Sequence, residues 1–242
     1  MNKFMLITAI LLGPGLNAVI AAPEPSAKIV KLSGDVSVRR GLEENWEKAA
    51  IGQELEDIDT ILALEGEVVL EIRENHTFTL RSNTMLDIGD LRKIQERELF
   101  IYLMEKKVKE IQPRTKKTPL RIGNVSVVHG SQPKLNTNSP NLDDAENWWR
   151  KETNGAAAML SQKYYPNTIV KTHKILSKYP NIKDCGELHF YLARSLEAIG
   201  KTGQAIDAYQ QSIDRCEEKK CNDKAALERL QMAKAALKEL KK

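Results

Sequence analysis

Residues 192–209 read Leu-Ala-Arg-Ser-Leu-Glu-Ala-Ile-Gly-Lys-Thr-Gly-Gln-Ala-Ile-Asp-Ala-Tyr, and this stretch decides the fold of the C-terminal part. Leu192, Ala193, Leu196 and Ile199 recur at helical spacing, and Gly200-Lys201 breaks the run. Ala205, Ile206 and Tyr209 then mark the apolar face of a second helix. Working outward, the pattern repeats. Ala156, Ala193 and Leu230 are spaced by 37 residues, as are Thr168 and Ala205, Ile169 and Ile206, and Leu176 and Ile213. A fixed period with helix-turn-helix content predicts a stacked solenoid, each hairpin burying its apolar face on its neighbour. Helices are expected near 145–163, 167–179, 184–200, 202–217 and 222–240, with Tyr179-Pro180-Asn181 as a further break.

Upstream the pattern changes. Ser131 to Asp144 carries Pro133, Pro140, three asparagines and two serines, and is expected to be a linker over 131–144. From Ala27 to about Gly130 the period is two. Ile29, Val30 and Leu32 precede a Ser33-Gly34-Asp35 turn, and Val36 and Val38 follow. Val68, Leu70 and Ile72, then Phe78 and Leu80, then Leu86 and Ile88 are further runs, with Asn75-His76 placed for a hairpin turn. Short strands at this spacing predict an antiparallel β domain over 27–130. Leu91 to Ile111 fits either period. Leu91, Ile94, Tyr102 and Val108 line a helical face, whereas Leu99, Ile101 and Leu103 alternate, which favours a strand.

The N-terminus has the parts of an export signal. Lys3 precedes an apolar run from Phe4 to Leu12, and Ala18, Ala21 and Ala22 precede Pro23. Cleavage is expected near Ala21 or Ala22, making 1–22 a signal peptide. The run is broken by Gly13, Pro14 and Gly15, too early to span a bilayer core of about 30 Å. No Cys follows it. The mature chain is therefore expected to be periplasmic or secreted, without an integral membrane segment.

Composition narrows the function. The 242 residues carry a net charge of only +4, are 29% charged, and contain 5% aromatics. Mixed charge argues against a nucleic-acid-binding face. The basic run Arg114, Lys116, Lys117 and Arg121 flanks two prolines and reads as a solvated loop. None of His76, His129, His173 and His189 has a His or acid at metal-ligand spacing, and no nucleophile elbow or phosphate loop occurs. Glu56, Asp57 and Asp59 fall in a predicted turn, where Asp serves backbone hydrogen bonding. The chain is thus expected not to be an enzyme and to need no cofactor or metal.

The helical part resembles tetratricopeptide repeats. Leu192-Ala193-x-x-Leu196 fills the family's Leu-Gly-x-x-Tyr positions, Gly200-Lys201-x-x-x-Ala205-Ile206-x-x-Tyr209 its turn and second helix, and Lys174-Ile175-Leu176-x-x-Tyr179-Pro180-Asn181 its closing segment. His189 stands at the family's first aromatic and Glu217 at its closing proline. The β part resembles the FecR domain. Val30-x-Leu32-x-Gly34-x-Val36-x-Val38, Trp46-x-x-Ala49 and Gly52-x-x-Leu55-x-x-x-Asp59-x-Ile61 carry the match. So do Val68-x-Leu70-x-Ile72, Phe78-x-Leu80, Thr118-Pro119 and Val128-His129-Gly130-Ser131. Ile58 stands where that family has glycine. The resemblances imply an α+β chain of two domains, a FecR-like β domain and a tetratricopeptide-like solenoid over 145–242.

Together they imply an exported adaptor or scaffold that binds an envelope protein. Counting from the repeat motif, Phe190, Arg194 and Glu197 should face the solenoid groove, with Leu227 and Gln231 equivalent in the third repeat. The alternative is a module for cell-wall glycan or another envelope polymer, with Trp46, Trp148 and Trp149 as candidate platforms. Cys185, Cys216 and Cys221 should gather at one end of the stack, where export permits one disulfide and leaves one thiol. Cys216–Cys221 is the expected pair because one short turn joins them. Cys185–Cys216 and three free thiols are the alternatives.

Overall fold

The computed structural model describes residues 26–72, 76–111 and 147–242. The expected signal peptide and linker, Asn75, the basic run, Thr118-Pro119 and 128–131 lie outside the described residues. An antiparallel two-sheet β region is followed by six α-helices among the described residues, an α+β arrangement.

The strands are β1 (Ala27–Ser33), β2 (Val36–Arg39), β3 (Trp46–Lys48), β4 (Glu54–Leu55), β5 (Thr60–Ala63), β6 (Glu67–Ile72), β7 (His76–Arg81) and β8 (Thr84–Asp87). One sheet has the order β4-β1-β6-β7 and the other β3-β2-β5-β8. Alternation sends Ile29, Val38, Ile61, Leu70, Phe78, Leu80 and Leu86 into one shared interior. The β1–β2 turn needs glycine. Gly34 (φ 81°) lies against Gly66 (φ 84°), and a Cβ on either would run into the other turn's backbone.

After a 3-10 turn at Ile88–Leu91 come α1 (Glu96–Ile111), α2 (Trp148–Ser161), α3 (Tyr165–Lys178), α4 (Glu187–Ala198), α5 (Thr202–Glu218) and α6 (Lys224–Leu240). The last five match the periodicity within a few residues. The strand expected within 91–111 is instead α1. Leu99 and Leu103, four apart, are buried on the helical core, while Phe100, Ile101 and Met104 are exposed. Apolar residues on two faces of one helix imitate strand alternation.

The two parts share an interior. Met159 of α2 is buried in the β core, and Tyr164 meets Phe78 edge-on at 5.2 Å. Gly155 lets α2 lie tight against β8: a Cβ there would lie 2.5 Å from the Met85 carbonyl oxygen. The Gln162 amide donates to the Thr79 carbonyl and accepts from its N–H, both at 2.9 Å. Asn167 donates to the Asp90 and Arg92 carbonyls. A fragment of 145–242 alone would expose Met159 and Tyr164 to water. A cut within 131–144 is therefore expected to leave the two pieces associated, where the linker composition by itself predicts release of a self-sufficient helical fragment.

Candidate functional site

Helices α2, α4 and α6 lie side by side, with α3 packed on α2 and α4, and α5 on α4 and α6. An ionic ladder crosses the first three. Arg150 of α2 and Arg229 of α6 both pair with the nearly buried Glu187 carboxylate of α4, Arg229 at 3.7 Å. The Tyr191 hydroxyl donates to the same carboxylate at 2.5 Å. Burial and the adjacent Glu187 charge push the Tyr191 phenol up, so it stays a donor. The expected site residues do not include this ladder, although its signal was present: Arg150 and Glu187 are themselves 37 residues apart.

The expected groove residues divide into two sets. Arg194 lies two turns after Glu187 on the same stripe of α4; its side chain is 47% exposed and lies 3.9 Å from the Glu197 carboxylate. Gln231, its equivalent on α6, is also exposed. Phe190 is not in the groove. It is buried beneath Tyr209 of α5, ring centroids 6.1 Å apart. Glu197 accepts from the Tyr209 hydroxyl at 2.5 Å and belongs to the same helix contact. Leu227 occupies the position equivalent to Phe190 and is exposed, since no helix among the described residues covers it as α5 covers Phe190.

The disulfide is Cys185–Cys221, with Cα atoms 6.0 Å apart, and not Cys216–Cys221. Cys216 is a free, buried thiol on the last turn of α5. The Cys221 N–H donates to the Cys216 carbonyl, but the Cys216 side chain turns into the helical interior. Cys185 is left-handed (φ 50°), and Asp184 beside it accepts from the N–H groups of Gly186 and Leu188 at the start of α4. The chain turn brings two backbones together, whereas the antiparallel packing brings the right side chains together.

A second cluster joins the β region to the helices. The Lys171 ammonium, 2% exposed, lies 2.8 Å from Asp90, 3.3 Å from Asp87 and 4.0 Å from Glu152. Lys174 reaches Asp90 and Lys178 reaches Glu152 from the rim, both at 2.6 Å. Burial opposes the Lys171 charge, but the three carboxylates outweigh it and hold the ammonium above the usual lysine range. Lys171 in turn draws the Asp87 carboxyl down to about 2. Such a permanently charged lysine clamps elements rather than serving as a base. Likewise Asp59, buried, accepts from Arg40 and from the N–H groups of Gly41 and Glu56, which gives the Glu56-Asp57-Asp59 group a turn-holding role.

Two histidines sit in the helical part, His189 buried and His173 half-buried. His173 faces Tyr102 and Lys106 of α1, and His189 faces Arg215 and Asp184. Burial, then Lys106 and His189, hold His173 at about 4; burial and Arg215 hold His189 at about 4. Their folded pKa values lie below the ordinary 6.5. The unfolded chain therefore takes up protons that the folded one refuses, and stability complete above pH 6.5 is lost as pH falls toward 4. Denaturant unfolding at pH 5 should show a loss of about 2 kcal/mol per histidine relative to pH 7.5. The variant His173→Gln with His189→Gln should flatten that dependence.

Trp46 and Trp148 stack on each other, centroids 6.2 Å apart, and Trp149 lies under the Arg150 guanidinium. Among the described residues no group of His, Cys, Asp and Glu could hold a metal ion, and no helix is long and apolar enough to cross a membrane. Compared with family models, curated proteins and solved structures, the chain matches none.

Proposed function

We propose that this protein is an exported adaptor of the cell envelope that holds a polypeptide partner along the face of α2, α4 and α6. The observation that carries the reading is the placement of Arg194 and Gln231. They stand exposed at equivalent repeat positions, on helices locked side by side by the Arg150–Glu187–Arg229 ladder. A rigid face with exposed polar groups lowers the ordering cost of binding. The resemblance to tetratricopeptide repeats supports the same use of the face, and the resemblance to the FecR domain supports an envelope setting. The export-signal pattern and the Cys185–Cys221 bridge favour an oxidising compartment. The glycan alternative has less support, because the Trp46 and Trp148 rings lie against each other.

The test is capture from envelope extract by wild-type protein and by Arg194→Glu with Gln231→Glu. The variant should lose a specific polypeptide band by about tenfold or more. Its thermal transition should stay nearly unchanged, since both residues are exposed. Sedimentation with purified cell wall equal to that of the captured polypeptide would favour the glycan alternative.

A further inference from the structure

The β region carries a separate groove of about 400 Å³, lined by Arg40, Gly41, Leu42, Glu43, Glu56, Ile58 and Asp59. It lies between the loop joining β2 to β3 and the loop joining β4 to β5. Two large apolar side chains stand open on it, Leu42 at 81% and Ile58 at 65% exposure. Isolated exposed apolar residues are ordinary, but two that flank one groove form a contact surface.

The floor is prebuilt. Buried Asp59 ties the loops together by accepting from Gly41 on one and Glu56 on the other, each at 2.9 Å. Arg40, the one cation among the lining residues, is held by Asp59 at 2.7 Å, Glu47 at 2.9 Å and the Glu54 carbonyl at 2.8 Å. Its charge is answered within the fold. Glu43 and Glu56 on the rim, with Glu44 and Asp57 next to them, are exposed and make no ion pair among the described residues. The groove thus offers apolar contact inside a rim whose Glu43, Glu44 and Glu56 make no ion pair among the described residues.

From this charge and shape we infer that the groove docks a basic polypeptide segment of a partner protein, one that sets a large apolar side chain between lysines or arginines. The apolar side chain lies between Leu42 and Ile58, and the flanking cations meet Glu43 and Glu56. This contact is independent of the α2-α4-α6 face.

The probe is a fluorescent peptide alternating lysine with leucine and phenylalanine, titrated into the full chain by anisotropy, beside the same peptide with glutamate for lysine. Saturable binding of the cationic peptide is expected, weakened by salt. It should fall by about tenfold or more in Leu42→Ser with Ile58→Ser, and likewise in Glu43→Lys with Glu56→Lys. All four side chains are exposed, so the unfolding transitions of these variants should match wild type. Arg194→Glu with Gln231→Glu should bind the peptide like wild type, which keeps this test apart from that of the repeat face. Absence of saturable binding, equal binding of the glutamate peptide, or binding indifferent to both groove variants would overturn the inference. So would a dimer in sedimentation that Leu42→Ser with Ile58→Ser dissolves, since it would assign the groove to a second copy.

Discussion

Replacing Lys171 with methionine is expected to lower stability by about 3–4 kcal/mol, because it leaves buried carboxylates without their central cation. The shape of methionine nearly preserves packing, so the loss is one of charge. Asp90 is 4% exposed and Glu152 6%; the first keeps only Lys174 from the rim, and the second keeps Lys178 and the Tyr179 hydroxyl. Asp87 keeps Thr60. These residual partners hold the expected loss below complete unfolding. For a chain of this size the thermal midpoint should fall by roughly 10 °C. Adding Asp90→Asn should restore part of the loss, since the uncompensated charge is then smaller. A loss under about 1 kcal/mol in Lys171→Met would place this cluster among solvated surface pairs. The same geometry adds an acid dependence, damped because the Asp87 side chain is 47% exposed. Asp87, held down by Lys171, contributes stability above its ordinary carboxylate range that is lost as pH falls through about 2.

Reduction of Cys185–Cys221 is expected to have a comparable effect. The bridge closes a loop with a sequence separation of 36, for which chain entropy gives about 4 kcal/mol. A Cys216–Cys221 bridge over one turn would contribute much less. The closed loop contains α4 and α5 and ends just before α6, so the reduced form should lose amide protection first in α6. Cys221→Ser should reproduce the effect of reductant, and Cys216→Ala should not. Burial pushes the Cys216 thiol up, which disfavours its exchange into the bridge. Equal unfolding midpoints for oxidised and reduced protein would refute this assignment of the bridge's weight.

Much of the helical part was legible because amphipathic spacing and breakers act locally. Gly200-Lys201 ends α4, and Tyr179-Pro180-Asn181 ends α3, where the chain expects them to. The misses arise where one residue's neighbours are set by tertiary packing. Phe190 and Arg194 are one turn apart, and only the placement of Tyr209 decides that one is buried and the other exposed. Local pattern cannot tell α1 from a strand, because it has apolar residues on both its buried and exposed sides. The Lys171 cluster joins β8, the 3-10 turn, α2 and α3 across more than eighty residues, and no sequence period links them. The β alternation was visible, but its division into two sheets rests on pairing order.

The most direct measurement of the adaptor proposal is site-specific photo-crosslinking in the intact envelope. A photoreactive residue would replace Arg194, Gln231 or, as a control, Gln211, which is exposed on α5 away from the α2-α4-α6 layer. Discrete polypeptide adducts from Arg194 and Gln231, with none from Gln211, are the expected result. No adduct from either face position, or the same adducts from all three, would contradict partner binding along the α2-α4-α6 face.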